Sequence, residues 1–246
     1  MAIHDETSQR LYFPAPLGVG ADIDCTDTQA NYLLNVLRLP EGATLRIFNG
    51  INGEWRAEIA SSGRKHCRLS VKTQLRPQFA GPDVDYLFAP LKHARLDYMV
   101  QKATEMGVRR LRPVITRRTI AARVNLERMR ANAIEAAEQC GLLAIPEVLE
   151  PASFDSIITN WDASRRLIFC DETADAGSPL AALQSEPRAP LAVLIGPEGG
   201  FDPTERARLL AVPYARAISL GPRIMRADTA AVAALALVNV IIGDGW

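Results

Sequence analysis

Two segments of this chain carry residues whose types and spacing could do chemistry. The first is Leu194-Ile195-Gly196-Pro197-Glu198-Gly199-Gly200-Phe201, and the second is Leu220-Gly221-Pro222-Arg223-Ile224-Met225-Arg226-Ala227-Asp228-Thr229. Each follows an apolar run with strand character, Leu191–Ile195 and Ala215–Leu220. In open α/β sheets, ligands bind beyond the carboxyl ends of the strands. Glycine at such a place lets a ligand approach the backbone, because no Cβ intervenes. Backbone N–H and C=O groups can then read the edge of a flat heterocycle such as adenine. The first loop lacks the Gly-Lys-Ser/Thr ending of a phosphate loop and the G-x-G-x-x-G spacing, which argues against a nucleoside triphosphate or a dinucleotide. One such loop could be a tight turn and nothing more. Two at strand ends, the second rich in arginine, point to a site.

Other chemistries find less support. Cys25, Cys67, Cys140 and Cys170 form no C-x-x-C pair and have no histidine at ligand spacing. That argues against zinc and reads as reduced, buried thiols of a cytoplasmic protein. His4, His66 and His93 stand apart from one another and suit surface or core roles. Residues 1–6 have neither the basic nor the apolar region of a signal peptide. The most apolar stretch, Ala230–Ile242, is shorter than the roughly 20 residues that cross a bilayer, and suits a buried helix or an oligomer interface. Net charge is zero, but it is unevenly spread. Between Leu91 and Arg130 eleven basic side chains face three acidic ones, a surplus of eight. Such a block is either an electrostatic footprint for phosphate or a solvated helix face.

The elements that must position the two loops can be traced along the chain. With 48% hydrophobic and 23% charged residues, the composition is that of a globular protein of one large or two unequal domains. Residues 10–76 are β-rich. Thr44–Asn49 and Glu54–Ile59 flank Gly50-Ile51-Asn52-Gly53 as a hairpin, and a further strand lies near Cys67–Thr73. Tyr32, Leu33, Val36 and Leu37 have helical spacing within Thr26–Leu39, with Thr28 or Asp27 as cap. Residues 77–83 contain two prolines and a glycine and read as a linker. After it strands and helices alternate. The strands are Val84–Ala89, Leu111–Thr116, Arg166–Cys170, Leu191–Ile195 and Ala215–Leu220. The helices are Leu91–Met106, Leu126–Cys140, Pro203–Leu210 with Asp202 as N-cap, and Thr229–Ile242 with Asp228 as N-cap. Alternation of this kind predicts an α/β fold, a parallel sheet with helices on both faces.

The two loop segments resemble the signature segments of the ribosomal RNA small subunit methyltransferase E family, within the SPOUT superfamily. Pro90-Leu91-Lys92 with Asp97–Gly107 resembles that family's first catalytic-domain helix. Glu135–Gly141 followed by Ile145-Pro146 resembles a further segment, and Arg10–Phe13 and Val36–Leu39 match its N-terminal module. The likeness runs in order over nearly the whole chain. Departures are Asn35 where histidine is common, Leu142 where arginine is common, and Asp228 in place of glutamate.

The resemblance implies a SPOUT-type parallel sheet with a deep C-terminal trefoil knot, preceded by a small PUA-like β-barrel. The corresponding division is residues 1–76 as the RNA-binding domain, 77–83 as linker and 84–246 as the methyltransferase domain. It implies S-adenosyl-L-methionine as cofactor, 16S ribosomal RNA within the small subunit as partner, methylation of uridine N3 as reaction, a homodimer and a cytoplasmic location. Cofactor-binding residues would be Leu194, Ile195, Gly196, Pro197, Glu198, Gly199, Gly200, Leu220, Gly221, Ile224, Met225 and Arg226. Uridine N3 is a poor nucleophile while protonated, so a base or a cation stabilising the anion is needed. Arg226 is the candidate for that cation or for holding the target phosphate, with a salt bridge to Asp228 as its structural alternative. Glu198 is the candidate for orienting its loop or removing the proton, with hydrogen bonds to backbone N–H groups as its alternative. Arg10, Arg38, Arg95, Lys102, Arg117 and Arg118 are candidate RNA contacts. Two other functions share these features: a SPOUT enzyme acting on tRNA or a ribose 2′-oxygen, and a non-enzymatic RNA-binding assembly factor.

Overall fold

The computed structural model describes residues 9–63, 66–121, 123–174, 177–186 and 190–242, the side chains of His93 and Ile242 excepted. The chain falls into two compact units, Met1–Ala80 with Glu138–Ala144, and Gly81–Ala137 with Ile145–Trp246. His4 lies outside the described residues, as does the segment 1–6 considered for a signal peptide.

In the first unit, β1 (Arg10–Tyr12), β2 (Asp22–Asp24), β3 (Thr44–Phe48), β4 (Glu54–Ser62) and β5 (Cys67–Arg76) form one sheet in the order β1-β3-β4-β5-β2. β1 runs parallel to β3, and the other neighbours are antiparallel. Along β4, Trp55, Ala57 and Ile59 are buried while Arg56 and Ala60 are exposed, the period-two pattern of a sheet with one dry face. They meet Leu45, Ile47, Leu69, Val71 and Leu33 in a single core, so the expected barrel is a curled five-stranded sheet. The β3–β4 turn is set by Asn49, whose Oδ1 accepts from the N–H groups of Ile51 (2.9 Å) and Asn52 (2.7 Å). Gly53 ends the turn at φ 80°, and a Cβ there would lie 2.3 Å from the Arg76 carbonyl oxygen, so only glycine fits.

The helix of this unit differs from its expectation. α1 (Asp27–Asn31) is capped by Thr26, not by Asp27 or Thr28. The Gln29 N–H donates to Thr26 Oγ1 (3.3 Å) and the Thr26 N–H to Gln29 Oε1 (3.0 Å), a reciprocal box that neither alternative cap could make. The chain then widens into a π-helical turn, Tyr32–Val36, and leaves it at Arg38 with φ 56°. The Leu39 N–H donates to the Leu33 carbonyl (3.0 Å), closing the turn so that Leu33, Leu37 and Leu39 reach the core.

In the second unit, β6 (Val84–Phe88), β7 (Arg110–Ile115), β8 (Glu147–Val148), β10 (Arg166–Cys170), β11 (Leu191–Ile195) and β12 (Ala215–Ile218) form a parallel sheet in the order β12-β10-β11-β6-β7-β8. The two-residue β9 (Ala152–Ser153) pairs with β7. The helices are α2 (His93–Glu105), α3 (Leu126–Cys140), α4 (Phe154–Thr159), α5 (Pro179–Gln184), α6 (Pro203–Ala211) and α7 (Ala227–Ile242). β6 and β11 are buried at every position, as strands covered on both faces must be. Leu191, Val193 and Ile195 join the core under α2, α3 and α7, whereas Ala192 and Leu194 join the one under α4 and α6. This is the anticipated parallel sheet with helices on both faces. β8, β9, α4 and α5 were not expected, since two-residue strands and helices of under two turns are too short to show their period.

α6 and α7 start where the two glycine-bearing loops end. α6 has the expected Asp202 cap, with a reciprocal bond from the Asp202 N–H to Glu205 Oε2 (3.2 Å). α7 begins at Ala227, earlier than Thr229, because the Ala230 N–H reaches the Arg226 carbonyl (2.8 Å). Asp228 therefore lies within the first turn instead of capping it.

Candidate active site

A cavity of about 290 Å³ opens in the second unit at the carboxyl ends of β10, β11 and β12. That is near the lower end of small-molecule sites, roughly 300–1,000 Å³. The loop after β11 lines it from Ile195 through Phe201, and the loop after β12 lines it with Leu220, Gly221, Arg223–Ala227 and then Ala230. Of the twelve expected cofactor-binding residues, eleven line this cavity. The exception is Leu194, which is buried in the core on the opposite face of the sheet, because successive strand residues point to alternate faces.

Gly196 packs its backbone against the Phe201 ring, and a Cβ there would meet the ring at 3.0–3.3 Å. That ring is itself held edge-on against Phe169, centroids 6.1 Å apart. Gly221 has φ 108°, a conformation that disfavours any other residue. Apolar Ile195, Leu220, Ala227 and Ala230 and the bare backbone of Gly196 and Gly199 give the cavity walls suited to a flat heterocycle and an aliphatic chain.

A third wall was not anticipated from sequence. It is Cys170-Asp171-Glu172-Thr173, after β10. Asp171 is buried and fully engaged: its Oδ1 accepts from the Thr173 N–H (3.0 Å) and hydroxyl (2.8 Å), and its Oδ2 from Arg206 Nε (2.8 Å). Burial pushes the Cys170 thiol up to about 12, so it presents a neutral S–H to the site. No glycine or arginine density marks this segment; the usable signal was its place immediately after a β-strand. Cys140, expected buried, is exposed, since it ends α3 at the surface.

Arg226 and Glu198 both reach the cavity. Arg226 is exposed and forms no ion pair with the described residues, so its suggested salt bridge to Asp228 is not made. Glu198 does not hydrogen-bond the backbone N–H groups of its loop. Its Oε1 accepts from Arg95 Nη1. Arg95 Nε also donates to Asp228 Oδ2 (2.9 Å), and this bond is the first cause holding the Asp228 carboxyl below its usual 3.8. Arg95 is thus held by two carboxylates, a pairing the expectation of a phosphate contact did not include.

The remaining basic candidates divide. Arg118 lines the cavity and donates Nη1 to the Gly199 carbonyl (2.6 Å), leaving its other donors exposed. Arg117 is exposed and pairs with Asp202 at 3.1 Å. Lys102 pairs with Glu105 one helical turn away, at 2.7 Å. Arg38 is exposed on the first unit and forms no ion pair with the described residues. Arg10 is a correction. It is 5% exposed, its Nε donates to Glu54 (2.5 Å), its guanidinium lies 3.7 Å from the Phe48 ring centroid, and it caps the Glu138 and Leu142 carbonyls. A guanidinium so enclosed cannot offer donors to RNA. At the three departures, Asn35 bonds Asn31 Oδ1 (2.9 Å), Leu142 supplies the carbonyl to Arg10, and Asp228 holds Arg95. Among the described residues no group of three or more His, Cys, Asp or Glu could hold a metal, and no helix is long and apolar enough to cross a membrane.

Comparison with known proteins agrees with this geometry. Residues 80–239 match the RNA methyltransferase domain family, and residues 26–72 match the RNA methyltransferase PUA domain family. The chain is 31% identical to the ribosomal RNA small subunit methyltransferase E of Rickettsia conorii over 94% of this chain and 95% of that protein. It is similar to the crystal structure of the ribosomal RNA small subunit methyltransferase E of Neisseria gonorrhoeae bound to S-adenosylmethionine. The TM-score there is 0.86 at 25% identity, over 97% of this chain and all of that one. A Legionella pneumophila protein solved with the same cofactor superposes with a TM-score of 0.85 at 28% identity, over 97% of this chain and 99% of that one.

Proposed function

We propose, for a chain that belongs to the ribosomal RNA small subunit methyltransferase E family, that it transfers the methyl group of S-adenosylmethionine to N3 of a uridine in 16S ribosomal RNA. The observation that carries this reading is the cavity at the ends of β10, β11 and β12, lined by an Arg226 that has no ion pair among the described residues. The cofactor, when bound, supplies a methyl group already activated on a sulfonium. The chain must align the nucleophile, exclude water and manage one proton. The walls at Ile195, Leu220 and the glycine backbones hold the cofactor. Arg226 faces the negative charge that develops on the uridine ring, and Glu198 takes the N3 proton. Arg118 and Arg38 hold RNA phosphates, with Arg117 and Lys102 as weaker contacts because each is already paired.

The same reading includes residues 1–76 as an RNA-binding module, 77–83 as linker and 84–246 as catalytic domain. It also includes a C-terminal trefoil knot, a homodimer, the small ribosomal subunit as substrate and a cytoplasmic location. The test is transfer of a labelled methyl group to small subunits that lack the modification, with the product nucleoside identified. N3-methyluridine supports the proposal. A ribose-methylated product, or label in tRNA alone, assigns another reaction, and binding without transfer makes the chain an assembly factor.

A further inference from the structure

Arg95 lies outside the cavity lining, yet it touches the loop after β11 and the start of α7, which follows the loop after β12. It stands in the first turn of α2, 103 residues before Glu198 and 133 before Asp228. One guanidinium joins these three segments. Nη1 donates to Glu198 in the loop after β11, and Nε donates to Asp228 at the start of α7. Two residues before Asp228 is Arg226, whose carbonyl accepts the first bond of α7 from Ala230. Fixing Asp228 therefore fixes the backbone that carries Arg226.

Resting on the function proposed above, we infer that Arg95 is a positioning residue that sets the separation of Glu198 and Arg226 across the cavity. Three observations carry it. The two acceptors belong to different elements, Glu198 to the loop after β11 and Asp228 to the first turn of α7, so the contact constrains the site and not one element. The donors are different nitrogens of a planar fork, so the directions of both carboxylates are fixed, which a lysine's point charge would not do. The third nitrogen, Nη2, is buried and has no hydrogen-bond partner among the described residues, so both of the bonds that hold this guanidinium go to the two carboxylates.

The experiment uses the full chain with Arg95→Gln and Arg95→Lys, read by amide hydrogen exchange and by methyl-transfer kinetics. In Arg95→Gln, residues 196–200 and 221–229 exchange faster together, while the interior strands keep their protection. kcat falls by ~10- to 100-fold with KM for RNA within ~3-fold, and Arg95→Lys restores part of it. In a double-mutant cycle Arg95→Gln and Glu198→Gln are non-additive. Unchanged kcat with a raised KM for RNA would make Arg95 a phosphate contact and overturn the inference. Lowered thermal stability with unchanged kcat would make it purely structural and overturn it as well. If the wild-type chain transfers no methyl group, the functional reading is what fails. Exchange then decides alone, and unchanged protection of either loop sinks the pin. Should Arg95→Gln not fold, Asp228→Asn removes the same tie from its other end and is held to the same outcomes.

Discussion

At the scale of single residues, the site separates a free cation from a fixed one. Arg226 has no carboxylate partner among the described residues, and once substrate and cofactor cover it such a donor would stabilise developing charge strongly. Arg226→Ala is expected to lower kcat by ~10²-fold while leaving S-adenosylhomocysteine affinity nearly unchanged, measured by single-turnover transfer and calorimetry. Equal loss in both would assign Arg226 to cofactor binding alone. Asp228 supplies a pH test. Its bond from Arg95 holds its carboxyl below the usual 3.8. A depressed carboxyl contributes stability that is fully present above the unfolded-state value and lost as pH falls through the folded-state one. The stability gap between wild type and Asp228→Asn, from urea unfolding, should be full near neutrality and shrink from ~pH 4 downward. A gap that stays constant into acid would deny the pairing. That Arg226 and Glu198 would line one site was legible in sequence, because glycines and arginines concentrate in two short segments. The partner of Glu198 was not. The sequence offered Asp228 to Arg226 by proximity, whereas folding brings it Arg95 from another strand–helix unit.

At the scale of elements, the strongly patterned segments could be read directly, and two-residue strands and helices of under two turns could not. α3, β10 and β11 have the bounds expected of them, since runs such as Leu191–Ile195 are closed by Pro190 on one side and Gly196-Pro197 on the other. The wall after β10 was invisible because Asp171 acts through a turn made with Thr173 and a bond from Arg206, 35 residues on. The π-helical turn was invisible because one added residue per turn leaves the apolar spacing almost unchanged. Two predictions belong here. Gly196→Val drives a side chain into the Phe201 ring, which Phe169 prevents from retreating. S-adenosylhomocysteine affinity should fall by ~10-fold or more while circular dichroism stays native, and unchanged affinity would remove this loop from the cofactor site. Thr26→Ala removes the cap and half of the reciprocal box at α1. It should cost about 1 kcal/mol in chemical denaturation, and an effect near zero would mean that Gln29 alone sustains the turn.

At the scale of the whole molecule, the charge pattern changes meaning once partners are known. The surplus of eight between Leu91 and Arg130 suggested a broad phosphate footprint. Six of its eleven cations, Arg95, Lys102, Arg109, Arg110, Arg117 and Arg128, instead form ion pairs with carboxylates drawn mostly from elsewhere in the chain. Arg109 and Arg110, for example, meet Asp83 and Asp85 at the start of β6. A one-dimensional count registers the cations and misses the acids that folding places beside them. Under the proposed function, the footprint for RNA is correspondingly narrower and sits with cations that are not ion-paired among the described residues, with Arg118 at the cavity as one of them. Salt dependence of binding distinguishes the two kinds, because each cation neutralising a phosphate adds ~0.7–0.9 to the slope of log K against log salt. Arg118→Ala should reduce that slope by about one such increment. Arg128→Ala should leave it unchanged although Arg128 is also exposed, because its Nε and Nη2 are forked onto Asp97 at 2.9 and 2.5 Å, which already neutralises its charge. Equal reductions in the two variants would mean that surface charge attracts RNA irrespective of pairing, and would return the whole basic block to the binding surface.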